Sequence, residues 1–213
     1  KCRDRTGFNP AFYNADSVSA QQEKINQRPH FVYLAYFAPE VIKVGISQGE
    51  RGIRRLLEQG ARLALKLETF SSALIARQYE AKIARLEGIV ETMPIHKKLE
   101  LIKQPFERAD SEKKLQQKLL EIEQKIGVSF PKAKLITCED YFHTTGVDLT
   151  RVVLMKDQNQ LAGRVRSIIG PILITDYDGQ LLAYNVKKFI GYQAQTVDGA
   201  IDIEIPSTQL ALF

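Results

Sequence analysis

The feature that most constrains the fold of this chain is a pair of apolar runs separated by three residues. The first run covers residues 30–37 and the second covers residues 41–46, with Ala38, Pro39 and Glu40 between them. Both runs are rich in β-branched and aromatic residues, which favour strands, and proline favours a break between strands. The pattern therefore predicts a β-hairpin.

Helical and strand signals alternate after this hairpin. Residues 51–59 form a basic helical segment that Gly60 ends, and residues 64–70 form a third apolar run. A further helix is predicted over residues 71–88, because serines precede it and Gly88 can stop it. Glu80 lies beside the apolar stripe of that helix. Its position alone fits a solvated carboxylate, an ion pair with Arg77 or a functional group.

The remaining chain predicts an α+β fold. A short helix near residues 19–27, a helical segment at 98–103 and an amphipathic helix at 110–127 precede six short strands. The last of the six covers residues 193–197, and residues 200–205 alternate as a further edge or final strand. Strands with tight turns, including Asp176-Tyr177-Asp178-Gly179, predict a small all-β barrel or sandwich. The predicted segments are an irregular arm (1–29), a first domain (30–108), a bridging helix (109–127), a small β domain (128–205) and a tail (206–213).

The charge balance favours a polyanionic partner. The chain has 30 Lys and Arg residues against 25 Asp and Glu residues, an excess that attracts nucleic acid without requiring it. The basic and aromatic residues of the β region fit two interpretations. In the first, they contact and stack on nucleic acid. In the second, the basic residues are solvated at the surface and the aromatic residues fill the core. These residues are Arg164, Arg166, Tyr184, Lys187, Lys188, Phe189 and Tyr192.

The cysteines and the apolar runs bear on the compartment. Two cysteines, Cys2 and Cys138, give no disulfide framework and favour a reducing compartment. No run is long enough for a membrane span. These features predict a cytoplasmic protein with no membrane partner, associated with the nucleoid if it binds DNA.

The last five residues form a short apolar motif. Gln209, Leu210, Ala211, Leu212 and Phe213 follow Pro206, and exposed apolar residues there call for a partner. The sequence resembles the peptides that bind the β sliding clamp of bacterial replication. The resemblance implies that Gln209 hydrogen-bonds at the pocket mouth while Leu210, Leu212 and Phe213 fill apolar pockets. The alternative is that these side chains pack back onto the β domain.

The stretch from residue 30 to residue 90 resembles the GIY-YIG nuclease superfamily. Tyr33 matches the Tyr of the first motif, Lys43-Val44-Gly45 matches the second motif, Arg55 (or Arg54) lies on the first helix, and Glu80 matches the metal-binding Glu. The resemblance implies a three-stranded sheet with flanking helices and one divalent ion, Mg²⁺ or Mn²⁺, held by Glu80. Tyr33 would help to activate water, and Arg55 would neutralise phosphate charge.

Two departures from these motifs favour phosphate binding over cleavage. Lys43 replaces the second-motif Tyr and Phe31 replaces the first-motif Gly. A protonated lysine holds phosphate but is a poor general base. The residues predicted to bind phosphate are Lys43, Arg51, Arg54 and Arg62.

The same stretch resembles a bacterial domain-of-unknown-function family, DUF2797. The matching segments are Tyr33-Leu34-Ala35, Lys43-Val44-Gly45 and the stretch from Arg55 to Ala61. Members combine this core with a Cys-rich, zinc-binding N-terminus. The resemblance implies that Cys2 is the last zinc ligand and that the others lie upstream, since the chain begins with Lys rather than Met. Cys2 as a solitary thiol is the alternative.

Three functions therefore stay open on the sequence. The first is a metal-dependent DNA endonuclease, recruited by the sliding clamp in repair or replication, with Tyr33, Arg55 and Glu80 as its catalytic residues. The second is a catalytically inactive adaptor that binds nucleic acid or the clamp. The third is an interaction module with no role in nucleic-acid binding.

Overall fold

The predicted hairpin lies at the centre of the first sheet. A computed structural model describes residues 20–156, 159–199 and 201–206. Within these residues five strands form one sheet in the order β4-β2-β1-β3-β5. All neighbours are antiparallel except β2 and β4. The strands are β1 (His30–Ala38), β2 (Val41–Gln48), β3 (Leu63–Phe70), β4 (Ile89–Val90) and β5 (Lys134–Thr137).

Five α-helices in the described residues flank the sheets, and the predicted end signals account for two of them. Ser72 caps α3, since its side chain accepts a hydrogen bond from the Ile75 amide at 3.4 Å. Gly127 ends α5 in the left-handed conformation at φ 67°. The helices are α1 (Ala20–Asn26), α2 (Gly52–Leu57), α3 (Ala73–Ala84), α4 (Ile95–Ile102) and α5 (Arg108–Ile126). None of these helices is long and apolar enough to cross a membrane.

The central strand β1 is buried on both faces, which explains its nearly continuous apolar sequence. Tyr33, Ala35 and Phe37 belong to one core cluster, together with residues of α2 and α4. The alternate side chains of β1 belong to a second cluster with Ala76 of α3 and Leu115 of α5. The sheet thus separates two apolar layers, and α3 and α5 cover the face opposite Tyr33.

The β region forms a second sheet of four strands among the described residues, in the order β6-β9-β8-β7. Asp178 and Gly179 connect β8 and β9 with positive φ angles of 49° and 80°, which confirms the predicted hairpin turn. The strands are β6 (Val153–Leu154), β7 (Arg164–Ile169), β8 (Ile172–Tyr177) and β9 (Gln180–Asn185).

The β region was predicted to be a barrel or a sandwich, and the described residues form no closed barrel, whereas the mixed α+β class is confirmed. The second sheet is open, with β6 and β7 at its edges. The strand predicted at residues 193–197 is absent, and so is strand structure in residues 201–206. With those two segments outside the sheet, too few strands remain to close it.

The two sheets share one apolar core. Ile169, Ile172 and Ala183 of the second sheet belong to the same buried cluster as Tyr33. The turn between β7 and β8 approaches the turn between α2 and β3 so closely that a Cβ atom on Gly170 would lie 2.5 Å from the Gly60 nitrogen. This contact brings the second sheet beside the site described next.

Candidate functional site

Tyr33 lies directly over Gly45. The two residues are paired across β1 and β2, and a Cβ atom on Gly45 would lie 2.5 Å from Tyr33 Cζ. Tyr33 is fully buried, and its ring lies 6.0 Å from that of Phe31. Glycine is therefore required at position 45 because the tyrosine ring occupies the space that a side chain would take.

The hydroxyl of Tyr33 is surrounded by charged groups. It is buried and makes no hydrogen bond of standard geometry within the described residues. Burial raises the pKa of Tyr33, while the nearby Arg55 guanidinium opposes that rise. The charges of Glu80 and Arg51 also act on the hydroxyl. Tyr33 therefore stays protonated at neutral pH and can donate a hydrogen bond to an anion.

Glu80 is a buried acidic residue on α3. It is 6% exposed and forms an ion pair with Arg77, the pairing that the sequence left open. The Nη1 atom of Arg77 also lies 2.7 Å from a carboxylate oxygen of Glu91. The structure thus brings Tyr33, Arg55 and Glu80 into one neighbourhood, with the Glu80 carboxylate engaged by Arg77.

Lys43 lies on the same face of the sheet as Tyr33. It pairs with Ala35 across the strands, and its Nζ donates hydrogen bonds to the backbone oxygens of Val44 and Glu91. Burial, with the adjacent Arg55 charge as the next cause, lowers the pKa of Lys43 to about 8.

Lys98 is a buried lysine that was not predicted to belong to the site. It is 4% exposed on α4, and its Nζ donates to the Gln59 backbone oxygen and lies 5.3 Å from the centre of the Phe37 ring. Burial first, and then the charges of Lys187, Lys43 and Arg55, lower the pKa of Lys98 to about 7.

Lys43, Arg55, Lys98 and Lys187 form a group that we call the cationic cluster. Among the residues that the structure describes, none of its three lysines forms an ion pair with a carboxylate. Arg55 lies 3.6 Å from Glu58. Glu80 and Glu91 partly offset the charge of Lys43. Like charges held close together repel one another, and an anion relieves that repulsion. The cluster is suited to binding a phosphate group.

A signal for Lys98 was present in the sequence. Lys98, Leu101 and Ile102 lie three and four residues apart, so they share one helical face, and all three are buried. A lysine on an apolar helical face is unusual and marks a candidate site. Lys187 was among the basic residues of the β region that the sequence offered as nucleic-acid contacts, but nothing in the sequence placed it beside Lys43 and Lys98. It follows β9 and reaches the cluster through the contact between the two sheets.

Arg62 is not brought to the cationic cluster. Its guanidinium is buried and donates to the backbone oxygens of Gln104, at 2.9 Å, and Ile102. It also lies 3.7 Å from a Glu139 oxygen and 5.0 Å from the centre of the Phe106 ring. These contacts hold the segment after α4 against the sheet.

The other predicted residues lie at the surface or outside the described residues. Arg54 is exposed on α2, and Arg51 is near Tyr33 but pairs with Glu58. Tyr184, predicted either to stack on bases or to fill the core, is buried, and its hydroxyl accepts a hydrogen bond from the Ala162 amide at 3.3 Å. The predicted residues outside the described ranges are Cys2, Gln209, Leu210, Leu212 and Phe213.

The described residues contain no group of three or more His, Cys, Asp and Glu side chains that could hold a metal ion. Any ion at this site would therefore be held by fewer than three such side chains, with the remaining ligands supplied by water and substrate. Glu80 and Glu91, which contact the same Arg77 atom, are the acidic side chains in this neighbourhood.

Comparison with known proteins gave a match to a family model and to nothing else. A family model described as "Protein of unknown function (DUF2797)" matches residues 13–194. No curated protein and no solved structure matches the chain. The matched residues include the whole cationic cluster, Tyr33 and Glu80.

Proposed function

The chain belongs to the DUF2797 family, and we propose that it is a DNA-associated protein whose cationic cluster binds phosphate groups. The observation that carries this proposal is the grouping of Lys43, Lys98 and Lys187 around Arg55 with no carboxylate paired to the lysines in the described residues. Tyr33 adds a protonated hydroxyl beside the guanidinium. Charge-assisted hydrogen bonds from such donors are the usual means of holding phosphate.

The proposal predicts a salt-dependent affinity for DNA. Lys43→Ala and Arg55→Ala are each expected to weaken binding about ten-fold and to reduce the salt slope by about one, because each removes one phosphate contact. Fluorescence anisotropy with duplex and single-stranded oligonucleotides at several salt concentrations measures both quantities. Lys125→Ala is the matched control, since Lys125 is exposed on α5, the helix that packs on the other face of the sheet.

Two results would contradict phosphate binding by the cluster. Equal losses in Lys125→Ala and Lys43→Ala would indicate a diffuse charge effect. No DNA or RNA binding by the wild-type chain at low salt would favour the interaction module instead.

A second candidate function is cleavage, as a GIY-YIG-type endonuclease dependent on Mg²⁺ or Mn²⁺. The proximity of Tyr33, Arg55 and Glu80 favours it. Mg²⁺ often binds one or two carboxylates together with water and substrate phosphates, so Glu80 fits such a site once its contact with Arg77 is given up. When bound, the ion would polarise the phosphoryl oxygen. Arg55 would neutralise phosphate charge, and Tyr33 would orient the attacking water by a hydrogen bond.

If the chain cleaves DNA, Glu80→Gln is expected to reduce metal-dependent cleavage by at least about a hundred-fold, because the amide keeps the shape of the side chain but binds Mg²⁺ poorly. Gel assays on plasmid, branched and single-stranded DNA measure the rate. Glu91→Gln is the control, since Glu91 also contacts Arg77 but is more exposed. Wild-type chain that binds DNA yet cleaves none of these forms would leave only the inactive adaptor.

Recruitment by the β sliding clamp is proposed from the sequence of the tail alone, because residues 207–213 lie outside the described ranges. Deleting Gln209–Phe213 is expected to abolish binding to purified clamp, since Leu212 and Phe213 would supply most of the buried apolar surface. Surface plasmon resonance measures the loss, and the Gln209→Ala variant should bind more weakly than wild type. Unchanged affinity after the deletion would contradict clamp recruitment.

Zinc binding by Cys2 also stays a proposal, because Cys2 lies outside the described residues. The zinc content of a purified chain that includes the upstream segment, compared with that of its Cys2→Ser variant, tests it. Equal zinc content in the two would exclude Cys2 as a ligand.

A further inference from the structure

The members of the cationic cluster differ in depth. Lys187 is exposed, and the Arg55 side chain is 25% exposed. Lys43 is half-buried, whereas Lys98 is 4% exposed. Positive charge therefore extends from the surface inward, and Lys98 lies at its inner end. A ligand that contacts all four groups must bring its negative charge to a buried ammonium.

This depth disfavours an internal phosphodiester. A phosphate within a continuous strand has a nucleoside on each side, and both would have to approach the buried end of the cluster. The terminal phosphate of a strand has a nucleoside on one side only, so it can enter with its free oxygens first. Those three oxygens also supply enough acceptors for several of the cluster's donors.

The negative charge of the phosphate group also favours a terminal phosphate over an internal one. A phosphodiester carries one negative charge, whereas a phosphomonoester carries about −1.5 to −2 at pH 7. The cluster has four cationic groups, and the described residues place no carboxylate in an ion pair with Lys43, Lys98 or Lys187. Burial is the first cause of the lowered pKa of Lys98, and the neighbouring positive charges of Lys187, Lys43 and Arg55 lower it further. A doubly charged group compensates them better than a singly charged one.

We infer that the cationic cluster binds the terminal phosphate of a nucleic-acid strand, a phosphomonoester, in preference to phosphodiesters within the strand. The inference rests on the proposed function, because it names which phosphate of a nucleic acid the cluster binds. It assigns Lys98 to the inner end of the site and Lys187 to its entrance. The contact of Gly60 with Gly170 brings the turn before β8 to the site, and the amide of Val186, the residue before Lys187, donates a hydrogen bond to the Pro171 oxygen of that turn at 3.0 Å.

The test compares three oligonucleotides of one sequence, carrying a 5′-phosphate, a 3′-phosphate or no terminal phosphate. Anisotropy with the full chain at fixed salt measures their affinities. One of the two phosphorylated forms is expected to bind about ten-fold more tightly than the unphosphorylated form, because it adds charge-assisted hydrogen bonds. Which end is preferred identifies the terminus that the site accepts.

Two variants make the test specific. Lys187→Ala removes an exposed side chain, so the fold is expected to persist. The ratio of the affinities for the phosphorylated and unphosphorylated oligonucleotides is expected to fall toward one. Lys98→Met is expected to reduce the same preference, with its folding checked by circular dichroism. Lys125→Ala, on α5, should keep the full preference.

The outcomes separate this inference from the proposed function. Equal affinity for all three oligonucleotides would overturn the inference and leave phosphate-backbone binding intact. A preference that Lys187→Ala fully retains would also overturn it, since the terminal phosphate would then bind elsewhere. No binding of any oligonucleotide would overturn both.

Discussion

Replacing Gly45 with alanine is expected to lower the free energy of unfolding by about 3 kcal/mol, at the upper end of the usual range for overpacked cores. The added Cβ atom would lie 2.5 Å from Tyr33 Cζ. The Tyr33 ring is fully buried between β1 and its covering layer, so it cannot move away without disturbing its neighbours. Urea unfolding followed by circular dichroism measures the change.

A double-mutant cycle separates this collision from a general effect of alanine in a strand. In the Tyr33→Ala background, Gly45→Ala should cost little, because the ring that it meets is gone. Gly49→Ala is the matched control, since its nearest contact would be the Pro29 oxygen at 3.3 Å. Equal costs for Gly45→Ala in the two backgrounds would mean that Tyr33 does not impose glycine at this position.

Gly45→Ala also tests the role of Tyr33 in binding. If the hydroxyl helps to hold phosphate, the displaced ring should weaken DNA binding even where the variant remains folded. Tyr33→Phe, which removes only the hydroxyl, should then show a smaller loss of affinity of the same kind.

Replacing Arg62 with leucine is expected to destabilise the protein by about 3–5 kcal/mol, the usual cost of breaking a buried charged pair. The change leaves the backbone oxygens of Gln104 and Ile102 without their donor and leaves Glu139 without its partner. Burial already raises the pKa of Glu139, and Arg62 is the first of the charges that oppose that rise. Chemical denaturation at neutral pH gives the free energy.

The matched control is Arg54→Leu, which removes the same charge from the exposed surface of α2. A change within about 0.5 kcal/mol is expected there. If Arg62→Leu proved as stable as wild type and bound DNA more weakly, Arg62 would belong to the phosphate site after all. The arginine would then have to leave its buried contacts on binding.

The hairpin and two helix ends were predictable because their signals are local. The β-branched and aromatic runs, the serine cap at Ser72, the left-handed glycine at position 127 and the Asp178-Gly179 turn each act within a few residues of the chain. Such signals depend on backbone conformation and on hydrogen bonds between near neighbours. Predictions made from such signals therefore do not depend on how the rest of the chain packs.

The second sheet was predicted less well. Its central hairpin was expected, but residues 193–197 have strand-like composition and form no strand. Strand propensity depends on whether a partner edge lies alongside, which a single sequence does not reveal.

The sequence motifs indicated the family, and they also indicated that Tyr33, Arg55 and Glu80 lie near one another. Which residues form the cationic cluster, the proposed phosphate site, was decided only by tertiary structure. Lys98 lies 55 residues after Lys43 by residue number, and Lys187 lies a further 89 residues on. Their charges meet because Gly60 and Gly170 let two turns touch, while Arg62, close to the site in sequence, is drawn into a buried hydrogen-bond network. Electrostatic grouping follows distance in space, and only packing sets that distance.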